Sequence, residues 1–266
     1  ALLNYIFYFS ESISVDNSLN FLVVFFISFL YFLIGALDDI YDLSPIPRLT
    51  IQFVLAYFIW LSGIGINNLD LSIFFDDQKI IYLHPIISLL ITQFWIVGII
   101  NAINWLDGLD GLAAGISLIS FFGYLVTAIH FQQLFICLIL TGLIGTILAF
   151  LKYNKHPSRI MMGDGGSYFY GFYLAILGIL TPINGSQNFQ FFIPLIVLFI
   201  PIADMAFVII SRIFQNKSPF YPDRRHLHHR LINRGFNSQK TVLIICFASL
   251  SLFCLVLILL GFLPKN

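Results

Sequence analysis

Apolar residues run in long, almost unbroken windows at about 20 to 37, 48 to 65, 85 to 104, 112 to 129, 134 to 151, 168 to 180, 191 to 210 and 241 to 262. Most match the roughly 20 residues that a helix needs to cross a hydrocarbon core about 30 Å thick. The pattern predicts an all-α, polytopic membrane helix bundle of about eight spans. A partial span is expected at the N-terminus, where the apolar run 2–9 is too short to cross. The sixth window is also short, so its ends are expected to extend into the flanking loops. Between 66 and 84 the pattern turns to alternation, with 69–75, then Asp76-Asp77, then 80–83, which predicts a small hairpin. No repeat and no long soluble stretch interrupts the windows, so one transmembrane domain over 1–266 is expected. It begins at Ala1 without an initiator methionine, and the reading is of a chain truncated at its N-terminus.

Composition sharpens the class. Of 266 residues, 59% are hydrophobic and only 10% charged, and mean hydropathy is +0.93. Soluble globular domains carry roughly a quarter charged residues, so that class is excluded. Thirteen basic residues balance thirteen acidic ones, which gives no pull towards nucleic acid. Their placement is informative. Arg48, Lys152, Lys155, Arg159, Arg212, Lys217, Arg224, Arg225, Arg230, Arg234 and Lys240 fall on one face of the alternating spans, and only Lys79 and Lys265 on the other. Excess Lys and Arg mark the cytoplasmic side, which leaves the hairpin on the periplasmic side. Cys137, Cys246 and Cys254 all lie inside apolar runs and read as small core residues.

The remaining polar residues gather in four islands on the cytoplasmic face. In Gly35-Ala36-Leu37-Asp38-Asp39 an apolar span ends in adjacent carboxylates. At a helix C-terminus these repel each other and oppose the macrodipole, so a cation is expected to compensate them. Arg48 is the nearby basic residue; a metal ion or a proton would serve equally, and a hydrated helix end is the plain alternative. Asn101-Ala102-Ile103-Asn104-Trp105-Leu106-Asp107-Gly108-Leu109-Asp110-Gly111 repeats a polar side chain every three residues, on adjoining parts of one helix face. Its oxygens suit a hard cation such as Mg²⁺, which keeps several waters and shares phosphate oxygens with the protein. The same groups read a base edge, and a polar turn is the alternative.

In the third island, Asn154-Lys155-His156-Pro157-Ser158-Arg159-Ile160-Met161-Met162-Gly163-Asp164-Gly165-Gly166-Ser167, Gly-rich backbone leads into a helix N-terminus. Free N–H groups there attract anions, and with Lys155 and Arg159 close by a phosphate is the natural occupant. Asp164 as an N-cap is the alternative. The fourth island is Ser218-Pro219-Phe220-Tyr221-Pro222-Asp223-Arg224-Arg225-His226-Leu227-His228-His229-Arg230-Leu231. Its His-x-His-His spacing fits zinc, whereas three interleaved arginines and no nearby cysteine favour an anionic ligand. A basic loop against anionic lipid is the alternative. Asp204, inside the preceding window, is expected to face the bundle interior. Together the islands fit a nucleotide-diphosphate substrate meeting a lipid partner.

The four motifs in this order, over about 35 to 240, resemble the polyprenyl-phosphate N-acetylhexosamine-1-phosphate transferases, and the fourth resembles their WecA/TagO-like branch. It lacks the three consecutive histidines of the branch that takes UDP-muramoyl-pentapeptide. The resemblance implies transfer of N-acetylglucosamine-1-phosphate, or a related amino-sugar-1-phosphate, from the UDP-sugar to undecaprenyl phosphate with release of UMP. It implies a bacterial inner-membrane enzyme with its active site on the cytoplasmic face, serving the first membrane step of cell-surface glycan synthesis.

By the same resemblance Asp38 and Asp39 are the catalytic aspartate pair, and Asp164 and Asn104 the ligands of Mg²⁺, with Mn²⁺ as an alternative. Asp107 and Asp110 sit at the nucleotide, Asp110 reading the uracil edge. Arg48, Asn154, Arg225, His226, His228 and His229 surround the diphosphate and sugar. The family often carries an aromatic residue where this chain has Met161, so the uridine is expected to meet a thioether instead. The expected partners are the UDP-amino sugar, the polyprenyl phosphate and the bilayer, without nucleic acid; a homodimer is left open. The rival reading is a secondary transporter with interior acids, whereas the acids here, Asp204 apart, gather at one interface. A zinc protease with His-Glu-x-x-His is excluded because Glu11 is the sole glutamate.

Overall fold

A computed structural model describes residues 15–70, 80–181, 192–218 and 225–261 of the chain. Its helices are α1 (Val15–Tyr41), α2 (Pro45–Leu61), α3 (Pro85–Leu106), α4 (Leu112–His130), α5 (Leu134–Asn154), α6 (Gly163–Leu180), α7 (Phe192–Val197), α8 (Phe199–Ile213), α9 (Leu227–Asn233) and α10 (Ser238–Gly261). Each apolar window falls largely on helix. Five stretches, Asn20–Tyr41, Pro85–Leu106, Leu112–His130, Leu134–Asn154 and Ser238–Ile258, are long and apolar enough to cross a bilayer, and Pro45–Leu61 is a shorter apolar helix. The chain is a multi-pass membrane protein. The partial N-terminal span expected over 2–9 lies outside the described residues.

Two windows differ in detail from expectation. The sixth does extend, since α6 begins at Gly163, whose φ of +64° suits glycine at the sharp entry. The seventh is two helices rather than one. Pro201 has no N–H to donate to the carbonyl of Val197, so the ladder breaks at Leu198, and Ser120 Oγ donates to the orphaned Val197 carbonyl at 3.4 Å. The hairpin forms as β1 (Asn68–Asp70) and β2 (Ile80–Tyr82), antiparallel with Asn68 opposite Tyr82 and Asp70 opposite Ile80. The expected Asp76-Asp77 turn lies outside the described residues.

The bundle is organised around α6. From Gly165 to Ile179 nearly every α6 side chain is buried, and its most extensive packing is on α1 and α3. At Gly35 the backbones of α1 and α6 touch: a Cβ there would sit 2.3 Å from the carbonyl oxygen of Asp164. Further packing joins α4 to α5 and α10. The outward faces are apolar, with Leu22, Phe25 and Phe26 exposed on α1 and Leu243 and Phe247 on α10. The cysteines follow that inverted pattern. Cys137 and Cys246 are half-buried and packed against the core, whereas Cys254 is exposed, which corrects its reading as a core residue; all three thiols are free. In a bilayer a small apolar side chain needs no burial in protein.

Candidate active site

The ends of α1, α2, α3 and α6 meet on the face that carries most of the basic residues. Arg48 Nη1 donates to Asp38 Oδ2 at 2.7 Å, so the first aspartate of the pair is compensated by the guanidinium that sequence placed nearest. Tyr168 OH donates to the same oxygen at 3.0 Å, and the Leu43 N–H to Asp38 Oδ1 at 2.9 Å. Asp39 is used differently. Its Oδ1 accepts the Asp164 N–H at 2.8 Å and its Oδ2 the Gly165 N–H at 3.1 Å. Each of the four carboxylate oxygens is thus held by a donor from the protein.

That arrangement corrects the expectation that the N-terminus of α6 receives a phosphate. Two of its first N–H groups already bind the Asp39 carboxylate, which supplies the anion that the helix end attracts. Nor is Asp164 the N-cap: Met162 holds that position without a side-chain hydrogen bond, and Asp164 lies in the first turn. Its carboxylate instead turns towards α3. Asn104 Nδ2 donates to Asp164 Oδ1 at 2.6 Å and to Ser167 Oγ at 3.1 Å, while Arg48 Nη1 lies 3.7 Å from Asp164 Oδ2.

Asp164 and Asn104 together offer one carboxylate and one amide. No group of three or more His, Cys, Asp or Glu among the described residues is arranged to hold a metal ion. Two protein oxygens, with water and substrate phosphate completing the shell, are what Mg²⁺ commonly takes, and turning the Asn104 amide presents its Oδ1. Around them stand Asp38, Asp39 and Asp107, so negative charge exceeds what Arg48 offsets. The residues fit such a cation.

Beside this cluster opens a small, solvent-open cleft lined by Asp107, Gly108, Leu109, Asp110, Asn154, Met161 and Met162. It brings together the three residues expected at the nucleotide, and Met161 is largely exposed at its edge. Burial pushes the Asp107 carboxyl up to about 7; the charges of Asp164, Asp39 and Asp110 act the same way, against the opposing Gly163 N–H. Asp110 behaves oppositely. Ser158 Oγ donates to its Oδ1 at 2.8 Å, and the Ser158 N–H and His156 Nδ1 reach its Oδ2 at 3.1 and 2.9 Å. These donors, the Ser158 hydroxyl foremost, hold its carboxyl below the usual range. Asp110 therefore clasps the loop between α5 and α6.

Asn154 clasps the same loop from behind. It is 3% exposed, its Oδ1 accepts the Gly111 N–H at 3.0 Å and its Nδ2 donates to the Ile160 carbonyl at 2.9 Å. Both ends of the amide are spent inside the protein, so it shapes the cleft from beneath.

Of the fourth island, 219–224 lie outside the described residues. Arg225 is engaged by α8 and the turn after it: Nη1 donates to Ser211 Oγ at 2.7 Å, and Nη2 to Gln215. His226 and His228 stack with ring centroids 5.8 Å apart, and His229 follows at 4.2 Å from His228. The His228 ring lies against Gly108 of the cleft, where a Cβ would come within 2.5 Å of its Nε2. Burial, then the neighbouring His229 and His226, push His228 down to about 4, so it is neutral at physiological pH.

Several partners were not picked out from sequence. Gln52 follows Arg48 by one helical turn, and its Oε1 accepts from Asn101 Nδ2 at 2.7 Å while its backbone carbonyl accepts from Tyr31 OH, also at 2.7 Å. This polar tie joins α1, α2 and α3 beneath the site. A lone Gln inside an apolar window was the available signal.

Comparison with known proteins supports one family. The model described as glycosyl transferase family 4 matches residues 21–182, more than half of the chain. The chain is 37% identical over 219 residues to a probable undecaprenyl-phosphate N-acetylglucosaminyl 1-phosphate transferase of Bacillus subtilis (strain 168), an alignment covering 82% of this chain and 60% of the relative. It is 32% identical over 231 residues to a decaprenyl-phosphate N-acetylglucosaminephosphotransferase of Mycobacterium leprae, covering 80% and 58%. With an undecaprenyl-phosphate alpha-N-acetylglucosaminyl 1-phosphate transferase of Haemophilus influenzae the figures are 33% over 232 residues, 83% and 63%. The chain therefore spans about three fifths of the length of these relatives.

Proposed function

The chain belongs to glycosyl transferase family 4, and from that premise we propose that it moves N-acetylglucosamine-1-phosphate, or a related amino-sugar-1-phosphate, from its UDP-sugar to undecaprenyl phosphate, releasing UMP. The reaction would take place at the cytoplasmic face of a bacterial inner membrane. The observation that carries this reading is the meeting of Asp38, Arg48, Asn104 and Asp164, from four helices, beside the cleft of Asp107, Asp110 and Met161.

A phosphate monoester has a second pKa of about 6, so the lipid phosphate reaches the site already anionic. One of its oxygens attacks the phosphorus bonded to the sugar. The bond from that phosphorus to the bridging oxygen breaks, and the oxygen leaves with UMP. No general base is needed for this attack, and the Asp38 and Asp39 carboxylates already accept hydrogen bonds from the protein. In this reading Asp38 aims Arg48 at the diphosphate and Asp39 sets the start of α6. Mg²⁺, or Mn²⁺ in its place, held by Asp164 and Asn104, would supply charge neutralisation at the diphosphate. Arg48 adds a fixed cation in a partly desolvated site. Asp107, whose carboxyl is raised by burial, faces the cleft where a uracil edge offers both donor and acceptor, and Met161 takes the ring face. The histidines close the site from the far side.

The test is UMP release by the purified protein in detergent, with UDP-N-acetylglucosamine, undecaprenyl phosphate and Mg²⁺, beside controls lacking lipid or metal. Release that needs all three is expected. Release with another UDP-amino sugar alone changes the donor and keeps the reaction, and no release with any UDP-sugar overturns it.

A further inference from the structure

Helix α8 has no part in the chemistry described so far, yet its inward face is polar. Pro201, Asp204, Val208 and Arg212 are buried on it at intervals of three and four residues, which makes one stripe. Asp204 is 3% exposed. His226 Nδ1 donates to its Oδ2 at 2.9 Å, the Leu227 N–H donates to its Oδ1 at 2.6 Å, and Arg230 Nη2 lies 3.9 Å away. A carboxylate buried this deeply is retained only with partners, and these all come from the segment that opens α9. Two turns along the stripe, the Arg212 guanidinium lies over the Trp105 ring at 5.0 Å, and the same ring meets His226 edge-on at 5.4 Å. From His226 the stack passes to His228 and so to Gly108, beside Asp107.

We propose that Asp204 is a positioning residue for the transferase, acting through His226. It accepts the Nδ1–H hydrogen bond, fixes the plane of the imidazole between Trp105 and His228, and leaves Nε2 as a lone-pair acceptor for a hydroxyl of the sugar. A carboxylate that orients an imidazole through Nδ1 sets both its tautomer and its direction. Asparagine at 204 retains the shape and one acceptor, which the Leu227 N–H can keep. Its amide N–H groups, however, face Nδ1 with a donor, which favours the other tautomer. The proposal rests on the transferase reading above.

The experiment is steady-state UMP release by Asp204→Asn, His226→Ala and the double variant, with the thermal midpoint of each measured in the same detergent. Asp204→Asn is expected to lower kcat at least tenfold, with KM for the UDP-sugar within about threefold and the midpoint near that of wild type. In the His226→Ala background the same substitution is expected to cost less than twofold, since the group it acts through is gone. Equal losses in both backgrounds, a loss that follows the thermal midpoint, or unchanged kcat in Asp204→Asn each overturn the proposal while leaving the transferase standing. A wild-type protein that releases no UMP from any UDP-sugar overturns the transferase reading, and this proposal with it. Asp204→Leu, which strands the Leu227 N–H, is unsuited to the test because it risks the fold.

Discussion

Asp39, near the end of α1, caps the start of α6, accepting the Asp164 N–H on one oxygen and the Gly165 N–H on the other across 125 and 126 residues of sequence. The same contact decides where the Asp164 side chain goes. With its own N–H held by Asp39, the first turn of α6 presents the Asp164 carboxylate to Asn104 and Arg48.

Asp39→Ala removes both acceptors at a helix N-terminus, where losing a cap costs about 0.5 to 2 kcal/mol. A lower thermal midpoint is expected, with a larger proportional loss of UMP release, because the first turn of α6 also carries Asp164. Asp39→Asn, which keeps one acceptor, should fall between. A full loss of turnover in Asp39→Asn with an unchanged midpoint would instead mark Asp39 as a group that touches substrate.

Asp164→Asn should abolish Mg²⁺-dependent UMP release while the protein still inserts and purifies. Its thermal midpoint should also lose the rise that added Mg²⁺ gives the wild type, as expected when a ligand binds only the folded state. Wild-type turnover by this variant would remove the proposed metal site.

The Gln52 and Asn101 side chains meet in the apolar interior of α2 and α3. Asn101→Leu leaves Gln52 Oε1 without its donor, and Gln52→Leu does the converse. Interhelical hydrogen bonds in a membrane protein couple by about 0.6 kcal/mol on average and about 1.7 at most. A double-variant cycle on unfolding free energy is expected to give a coupling in that range, so that the Leu/Leu protein is more stable than the two single losses predict. Strict additivity would show that the pair contributes nothing beyond packing.

Asp107 should make stability depend on pH. Its carboxyl sits at about 7 in the folded protein against an ordinary value of 3.8, so the folded state holds a proton that the unfolded chain releases. The stabilisation is complete below the unfolded value and is lost as pH rises through about 7. The thermal midpoint of wild type should therefore fall between about pH 5 and pH 8 more steeply than that of Asp107→Asn, which holds no such proton. Parallel curves would place Asp107 in a more solvated setting.

Much of the site's inventory was legible in sequence, residue by residue. Adjacent Asp38 and Asp39 called for a cation, and Arg48 is there at 2.7 Å. The three-residue spacing of Asn101, Asn104, Asp107 and Asp110 gathered them at the end of one span. Their individual bonds were not legible. Asp110 and Asn154 were expected to touch substrate, yet Ser158, His156, Gly111 and Ile160 engage them from within the chain. Arg225 was expected at the diphosphate and lies on Ser211. Asp204, a single acid in an apolar window, gave a signal of burial but none of its partner.

The sequence by itself determined where the long apolar helices run, that the chain is a multi-pass membrane protein, and which polar residues stand at span ends. Those properties follow from local hydrophobicity, because each span must satisfy its own backbone and meet lipid regardless of its neighbours. Only the tertiary structure decided that α6 is the central helix, that Asp39 rather than a phosphate occupies its N-terminus, and that Asp204 reaches His226. Those depend on how helices cross, as at Gly35 against the Asp164 backbone. A crossing is set by close packing between segments far apart in the chain, and hydrophobic pattern carries no record of it.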